Sequence, residues 1–283
     1  MADAVPMSRE FQAVLDRIKA DPPAKREAAT AEPPKPKAAQ IIQLPLWAEN
    51  KRGTPNSFLR SSLFAAVQGK HRCQFKEEIL ASQNGITIKY TGEQLNQSDL
   101  NVWEALINLA REQPLGNACS FSTHGLLKSL GLNTGQGDYK WFHSVIVRLT
   151  GAVVEIIHDG KRYGGTLVQE WAKDDEKSHY KIIMNKKLIN LYGPAQWTAI
   201  DWSQRQKLKK QPLAQALHAF YSSHEKPYPL KIETLRKITG SRNPQLASFK
   251  RQTKLALNVL VSIEFLQSFA FQNDLVMVTR TSD

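Results

Sequence analysis

The 283-residue sequence has only two cysteines, Cys73 and Cys119. That excludes a disulfide framework and a zinc site of paired cysteines, and it fits a reducing cytosol. No run of about 18 apolar residues occurs, so no segment reads as membrane-spanning. No apolar leader core follows the N-terminus, which points to a cytoplasmic protein. The Gly-x-x-x-x-Gly-Lys-Ser/Thr loop of phosphate-binding ATPases is absent, and Gly135-Gln136-Gly137 reads as a turn. His218 and His224 are spaced for no metal pair. Tyr221 has no histidine cluster beside it, as a DNA-nicking nucleophile would require. No catalytic residue, metal or cofactor is expected. Acidic residues are also scarce: 26 against 38 basic ones, a net charge of +12. An anionic partner follows, nucleic acid ahead of an acidic membrane.

Against these absences one stretch stands out, Asn243 to Leu266. Asn243 and Pro244 supply helix-start chemistry. Leu246, Phe249, Thr253, Ala256, Leu257 and Leu260 recur at helical spacing and predict one buried face. Ser248, Arg251 and Asn258 lie opposite, flanked by Gln252 and Lys254, and no acidic residue occurs between Asn243 and Ile263. Such a face suits the major groove, with polar side chains on base edges and lysine on phosphate. A shorter helix over 229–240, stopped by Gly240, precedes it. Two alternating runs, 267–271 and 275–280, turn at Gln272-Asn273-Asp274. Helix, turn, basic helix, hairpin is the order of a winged helix-turn-helix, in which the second helix of the pair is the reader.

The same order appears earlier. Ser98 or Asp99 caps a helix to Gln113, and a short helix ends at Gly131. Asp138 opens a third helix that buries Phe142, Val145, Ile146 and Leu149. Lys140, Ser144 and Arg148 are placed on its outer face, with His143 beside them. A hairpin over 152–168 turns at Asp159-Gly160 and puts Lys161 and Arg162 at its tip, as a wing would. The fold class is therefore α+β, two tandem winged-helix domains behind a disordered N-terminal arm. The divisions are 1–54 (arm), 55–200 (first domain) and 201–283 (second domain). Arg251, Ser248, Lys140 and Ser144 are the expected base readers. Lys254, Arg148, Lys161 and Arg162 are expected on phosphate, with Lys250 and His143 also at the DNA interface.

The arm is rich in proline, alanine and charge, which cannot repay the entropy of folding. Within it Ser8 to Ile18 forms either a small docking helix or a frayed segment. Gln43-Leu44-Pro45-Leu46-Trp47 resembles the peptide with which bacterial replication proteins bind the sliding clamp. Gln43, Leu44, Leu46 and Trp47 are the expected contacts, with Trp47 in place of the usual aromatic. The alternative is a loop that packs on its own domain.

From Phe220-Tyr221 through Ser222-Ser223-His224-Glu225-Lys226-Pro227-Tyr228-Pro229-Leu230-Lys231 the sequence resembles the TrfA-type replication initiators of broad-host-range bacterial plasmids. The likeness runs on to Asn273-Asp274-Leu275-Val276. It reaches back to Arg60-Ser61-Ser62-Leu63-Phe64 and Ile88-Lys89-Tyr90-Thr91-Gly92, covering about 41–280. The resemblance implies tandem winged helices on directly repeated origin sequences (iterons). It also implies opening of adjacent A·T-rich duplex, possible contact with single-stranded A·T-rich DNA, and recruitment of host initiator, helicase and clamp. A homodimer off DNA and a monomer on iterons are implied too. The rival readings are a two-domain winged-helix transcriptional regulator, a nicking relaxase and a purely structural interaction module.

Overall fold

A computed structural model describes residues 44–69, 71–112, 117–158 and 160–281. Its first half contains β1 (Lys51–Pro55), α1 (Asn56–Leu59), β2 (Phe64–Ala65), β3 (Gln74–Leu80), β4 (Thr87–Glu93) and β5 (Leu95–Asn96). Then come α2 (Gln97–Ala110), β6 (Ala118–Ser122), α3 (Thr123–Ser129), α4 (Gln136–Gly151), β7 (Val153–His158), β8 (Lys161–Thr166), β9 (Val168–Asp174) and β10 (His179–Met184). A 3-10 turn (Lys186–Leu191) leads to β11 (Trp197–Asp201), α5 (Trp202–Lys207), α6 (Pro212–Ser222), β12 (Leu230–Lys231) and α7 (Ile232–Ile238). The chain finishes with α8 (Leu246–Ser262), β13 (Leu266–Gln272) and β14 (Leu275–Arg280).

Local chemistry sets the helix ends. The Asn96 side chain accepts from the backbone N–H groups of Ser98 and Asp99, and Asp99 accepts from that of Asn96. This capping box satisfies free N–H groups from both sides, so α2 starts ahead of the expected Ser98 or Asp99. Ser122 caps α3 through Gly125 N–H. Gly240 takes φ +60 after α7, a left-handed turn that favours glycine, and a Cβ there would lie 2.7 Å from the Ala65 Cβ. α8 starts at Leu246 rather than at Asn243–Pro244. The Asn243 side-chain oxygen is engaged in the turn, accepting from Gln245 N–H at 3.1 Å.

Two tandem winged helices result. The first is α2, β6, α3, α4 and a three-stranded sheet ordered β6-β10-β9. The second is α6, β12, α7, α8 and a sheet ordered β12-β14-β13. In each, the strand before the short helix pairs with the last strand of the wing. The first wing is therefore β9–β10, which corrects the expected hairpin at 152–168. That hairpin, β7–β8, joins β3 and β4 in a separate antiparallel sheet ordered β3-β4-β7-β8. Its Asp-Gly turn signal is local, whereas its pairing with β4, Thr87 opposite Ile157, is long-range.

The first core gathers residues from Leu44 to Tyr192, including Trp103, Phe142, Val145, Ile146 and Leu149. The second gathers Leu208 to Val276 around Phe249, Leu257 and Leu260. Residues 41–283 form one compact unit. Leu59, Ile200 and Ala219 pack together between the cores. Arg205, 1% exposed, ties α5 to both sides, donating to Gln97 Oε1 (2.8 Å), Asn101 Oδ1 (2.8 Å) and the Gln215 carbonyl (2.7 Å).

The expected arm over 1–54 gives way to packed structure by Leu44. Leu44 and Trp47 are buried. The Trp47 indole N–H donates to Asn108 Oδ1 at 2.9 Å, its ring stacks near Tyr192 and Trp197, and the Arg111 guanidinium covers it at 5.0 Å. Gly53 leaves room for that ring, which a Cβ would strike. This corrects the reading of an exposed clamp peptide: of its described residues Leu46 alone among the apolar contacts is outside, at 81% exposure. An indole with this much apolar surface is better buried than hydrated. Gln43 and the Ser8–Ile18 segment lie outside the described residues.

Candidate nucleic-acid interface

α8 is built as the sequence predicts on its inner side. Phe249, Thr253, Ala256, Leu257 and Leu260 are buried, while Leu246 is half-buried. Arg251, Gln252, Lys254 and Asn258 are exposed. Arg251 and Lys254 have no hydrogen-bond or ion-pair partner among the described residues, so their charges are available to a ligand. Ser248 is half-buried, and its Oγ accepts from Asn243 Nδ2 at 3.0 Å. Lys250 is engaged: its ammonium donates to the Asn273 carbonyl at 2.6 Å and lies 5.6 Å from the Phe271 ring. It fastens the helix to the turn of the β13–β14 wing.

α4 divides its candidates differently. Lys140 and Ser144 are exposed, but the Ser144 hydroxyl donates to the Trp141 carbonyl at 2.6 Å. His143 is half-buried: its Nδ1 sits 2.9 Å from the Tyr180 hydroxyl and its ring meets Trp171 edge-on at 5.2 Å. It joins α4 to the β9–β10 wing. Arg148 is not on the outer face. Its side chain is 7% exposed and bonds to Asp99 at 3.0 Å and Glu93 at 3.4 Å. Arg72 meets the same Asp99 at 2.6 Å. Asp99 is wholly buried, and two guanidiniums plus the cap N–H satisfy its oxygens. Arg148 is thus an internal counter-charge, which corrects its assignment to phosphate. A buried carboxylate needs such a partner, and helical spacing cannot show that one lies across the fold.

Lys161 and Arg162 sit at the start of β8, away from the wing of the first winged helix. Arg162 pairs with Glu155 at 2.6 Å; the Lys161 side chain lies outside the described set. The tip of the β9–β10 wing instead carries Asp174, Asp175, Glu176 and Lys177, and Asp175 is paired with Lys173. An acidic tip repels a phosphate backbone, so in the first half α4 rather than its wing tip offers positive charge.

Sequence reasoning gave Asn243 only a capping role. The structure places it at the start of α8, donating also to Gln252 Oε1 at 3.2 Å. Arg236 of α7 donates to the Asn243 and Pro244 carbonyls at 3.3 and 3.1 Å and holds the turn. The Asn-Pro pair was the available signal, since the residue before proline is confined to extended backbone and so to few orientations.

Comparison with known proteins places this architecture. Residues 30–280 match the family model described as TrfA protein. The plasmid replication initiator protein TrfA of Escherichia coli is 25% identical over 248 residues, covering 85% of this chain; the chain spans 64% of that relative's length. Among solved structures, domains 2 and 3 of RctB superpose with a TM-score of 0.55 at 11% identity, covering 81% of this chain and 99% of that one. A second structure of RctB domains 2–3 gives 0.50 at 11% identity, covering 78% and 95%. The RctB likeness bears on the fold; the family match bears on descent and takes in most of the sequence, from the N-terminal region through the last strand. The chain belongs to the TrfA family.

Proposed function

We propose that this protein is a non-catalytic initiator of plasmid replication that binds duplex origin DNA through α4 and α8. The observation that carries the reading is the outer face of α8: Arg251 and Lys254 exposed without partners among the described residues, polar Gln252 and Asn258 beside them, and no acidic side chain along the helix. Membership of the TrfA family and the likeness to the Escherichia coli plasmid replication initiator support the replication role. Two readers in one chain suit directly repeated sites presenting neighbouring major-groove faces. Opening of adjacent A·T-rich DNA then draws on binding free energy, since several protomers bending the duplex offset unstacking. Recruitment of host helicase and a dimer that separates on DNA complete the reading. Sliding-clamp binding by 43–47 is left out of it, because Leu44 and Trp47 are packed into the first core.

The test is a footprint of the purified protein on its source replicon, at physiological salt with excess non-specific DNA. Protection of several direct repeats at helical-turn spacing beside an A·T-rich tract supports the reading. Protection of one promoter palindrome makes the protein a regulator instead.

A further inference from the structure

The hydrogen bonds around Asn243 fix which atoms α8 offers to DNA. Gln245 N–H can only donate, so the Asn243 atom facing it at 3.1 Å is the side-chain oxygen. The other end of that amide is therefore NH2, which can only donate. It donates to Ser248 Oγ at 3.0 Å and to Gln252, whose facing atom must be its oxygen, at 3.2 Å. Both partners spend acceptor capacity inward. Ser248 keeps its O–H and Gln252 keeps its NH2, and neither donates to any other described residue. Arg251, adjacent on the same surface, has donors only. One lone pair of Ser248 Oγ and one of Gln252 Oε1 are engaged inward, so the Gln252 NH2, the Ser248 O–H and the Arg251 guanidinium are the groups this helix turn presents outward.

We infer that Asn243 makes the start of α8 a donor edge that selects guanine. Guanine presents two acceptors, N7 and O6, in the major groove, whereas adenine pairs its N7 with an amino donor, cytosine presents an amino donor, and thymine has one acceptor beside a methyl group. Asn243 is a positioning residue: it orients Ser248 and Gln252 before DNA arrives, held by the bonds from Arg236 to its own and the next carbonyl. The inference rests on the reading of α8 as a major-groove helix.

The experiment is selection of binding duplexes from a randomised library by the full-length protein, its Asn243→Asp variant and an Arg251→Ala, Lys254→Ala double variant. Asn243→Asp keeps the acceptor for Gln245 N–H, and so the turn, but replaces the inward donor with an acceptor. Ser248 O–H and Gln252 NH2 then turn inward and leave acceptors outside. The expected result is loss of guanine at one or two positions in the variant's sites and enrichment there of adenine or cytosine. At those positions, 7-deazaguanine weakens wild-type binding about tenfold, while inosine, which keeps N7 and O6, does not. Unchanged base preference in Asn243→Asp, or indifference to 7-deazaguanine, overturns the inference while leaving α8 in the groove. If the double variant binds the wild-type sites as tightly as the wild type, α8 is not in the groove, and the reading and the inference fall together.

Discussion

At the scale of single residues, the side chains that looked alike in sequence divide by what surrounds them. Arg148 and Arg251 both follow helical spacing on basic helices, yet one neutralises a buried carboxylate and the other faces solvent. Arg148→Ala removes one of the two guanidiniums that neutralise the buried Asp99. Leaving a buried charge with no partner costs about 3–5 kcal/mol; Arg72 still holds Asp99, so denaturant unfolding should show a smaller loss, and an unchanged midpoint would return Arg148 to the surface. Trp47 makes a second case. Removing its ring from the cage of Tyr192, Trp197 and Arg111 is expected to cost about 3–5 kcal/mol. A Trp47→Ala protein of wild-type stability would show that the 43–47 peptide is displayed after all. The patterns at 43–47 and 140–148 were legible as special; their partners, Asn108, Tyr192 and Asp99, are distant in sequence and were not.

At the scale of elements, the amphipathic helices and the two local hairpins were legible, and the long-range sheet pairings were not. The apolar residues of α4 and α8 repeat every three or four positions, and that period specifies the buried face without reference to the rest of the chain. The first wing was misplaced because a strong turn dipeptide advertises a hairpin but not the sheet it joins. β9 gave little signal, since most of its residues are exposed and polar. α8 is where the element-scale prediction lies. Arg251→Ala should weaken binding to specific DNA by about 1–3 kcal/mol while changing non-specific binding less. Competition binding on both kinds of duplex measures the difference; equal losses would make Arg251 a phosphate contact.

At the scale of the whole molecule, the two winged helices share a polar seam as well as apolar contacts. His218 lies beside that seam, wholly buried, its Nε2 3.3 Å from Gln204 Oε1 and its ring against Phe265. Burial, and next Arg205, push its pKa down to about 3. The unfolded chain takes up a proton on this residue near pH 6.5, whereas the fold does not until about pH 3. Its contribution to stability is therefore complete above about pH 6.5 and is lost as pH falls toward 3, by at most about 1.4 kcal/mol per pH unit. Glu104 works in the opposite sense, because burial raises its carboxyl, so its contribution is present below the ordinary carboxylate range and lost as pH rises through the raised value. Comparing unfolding of wild type and His218→Leu between pH 6.5 and 5 isolates the histidine. The wild type should lose stability more steeply with acid, and parallel curves would mean His218 is protonated in the fold.

The sequence by itself determined the basic character of the molecule, the two amphipathic helices α4 and α8, the second wing and the family resemblance. Each of these is local or compositional: periodicity, turn chemistry and charge act over a few residues or over the whole count. Only the tertiary structure decided that β9–β10 is the first wing, that Trp47 is a core residue, that Arg148 and Lys250 are already engaged, and that Asn243 orients Ser248 and Gln252. These depend on which distant groups meet, and a buried charge or indole is settled by the partner that satisfies it rather than by its own place in the chain.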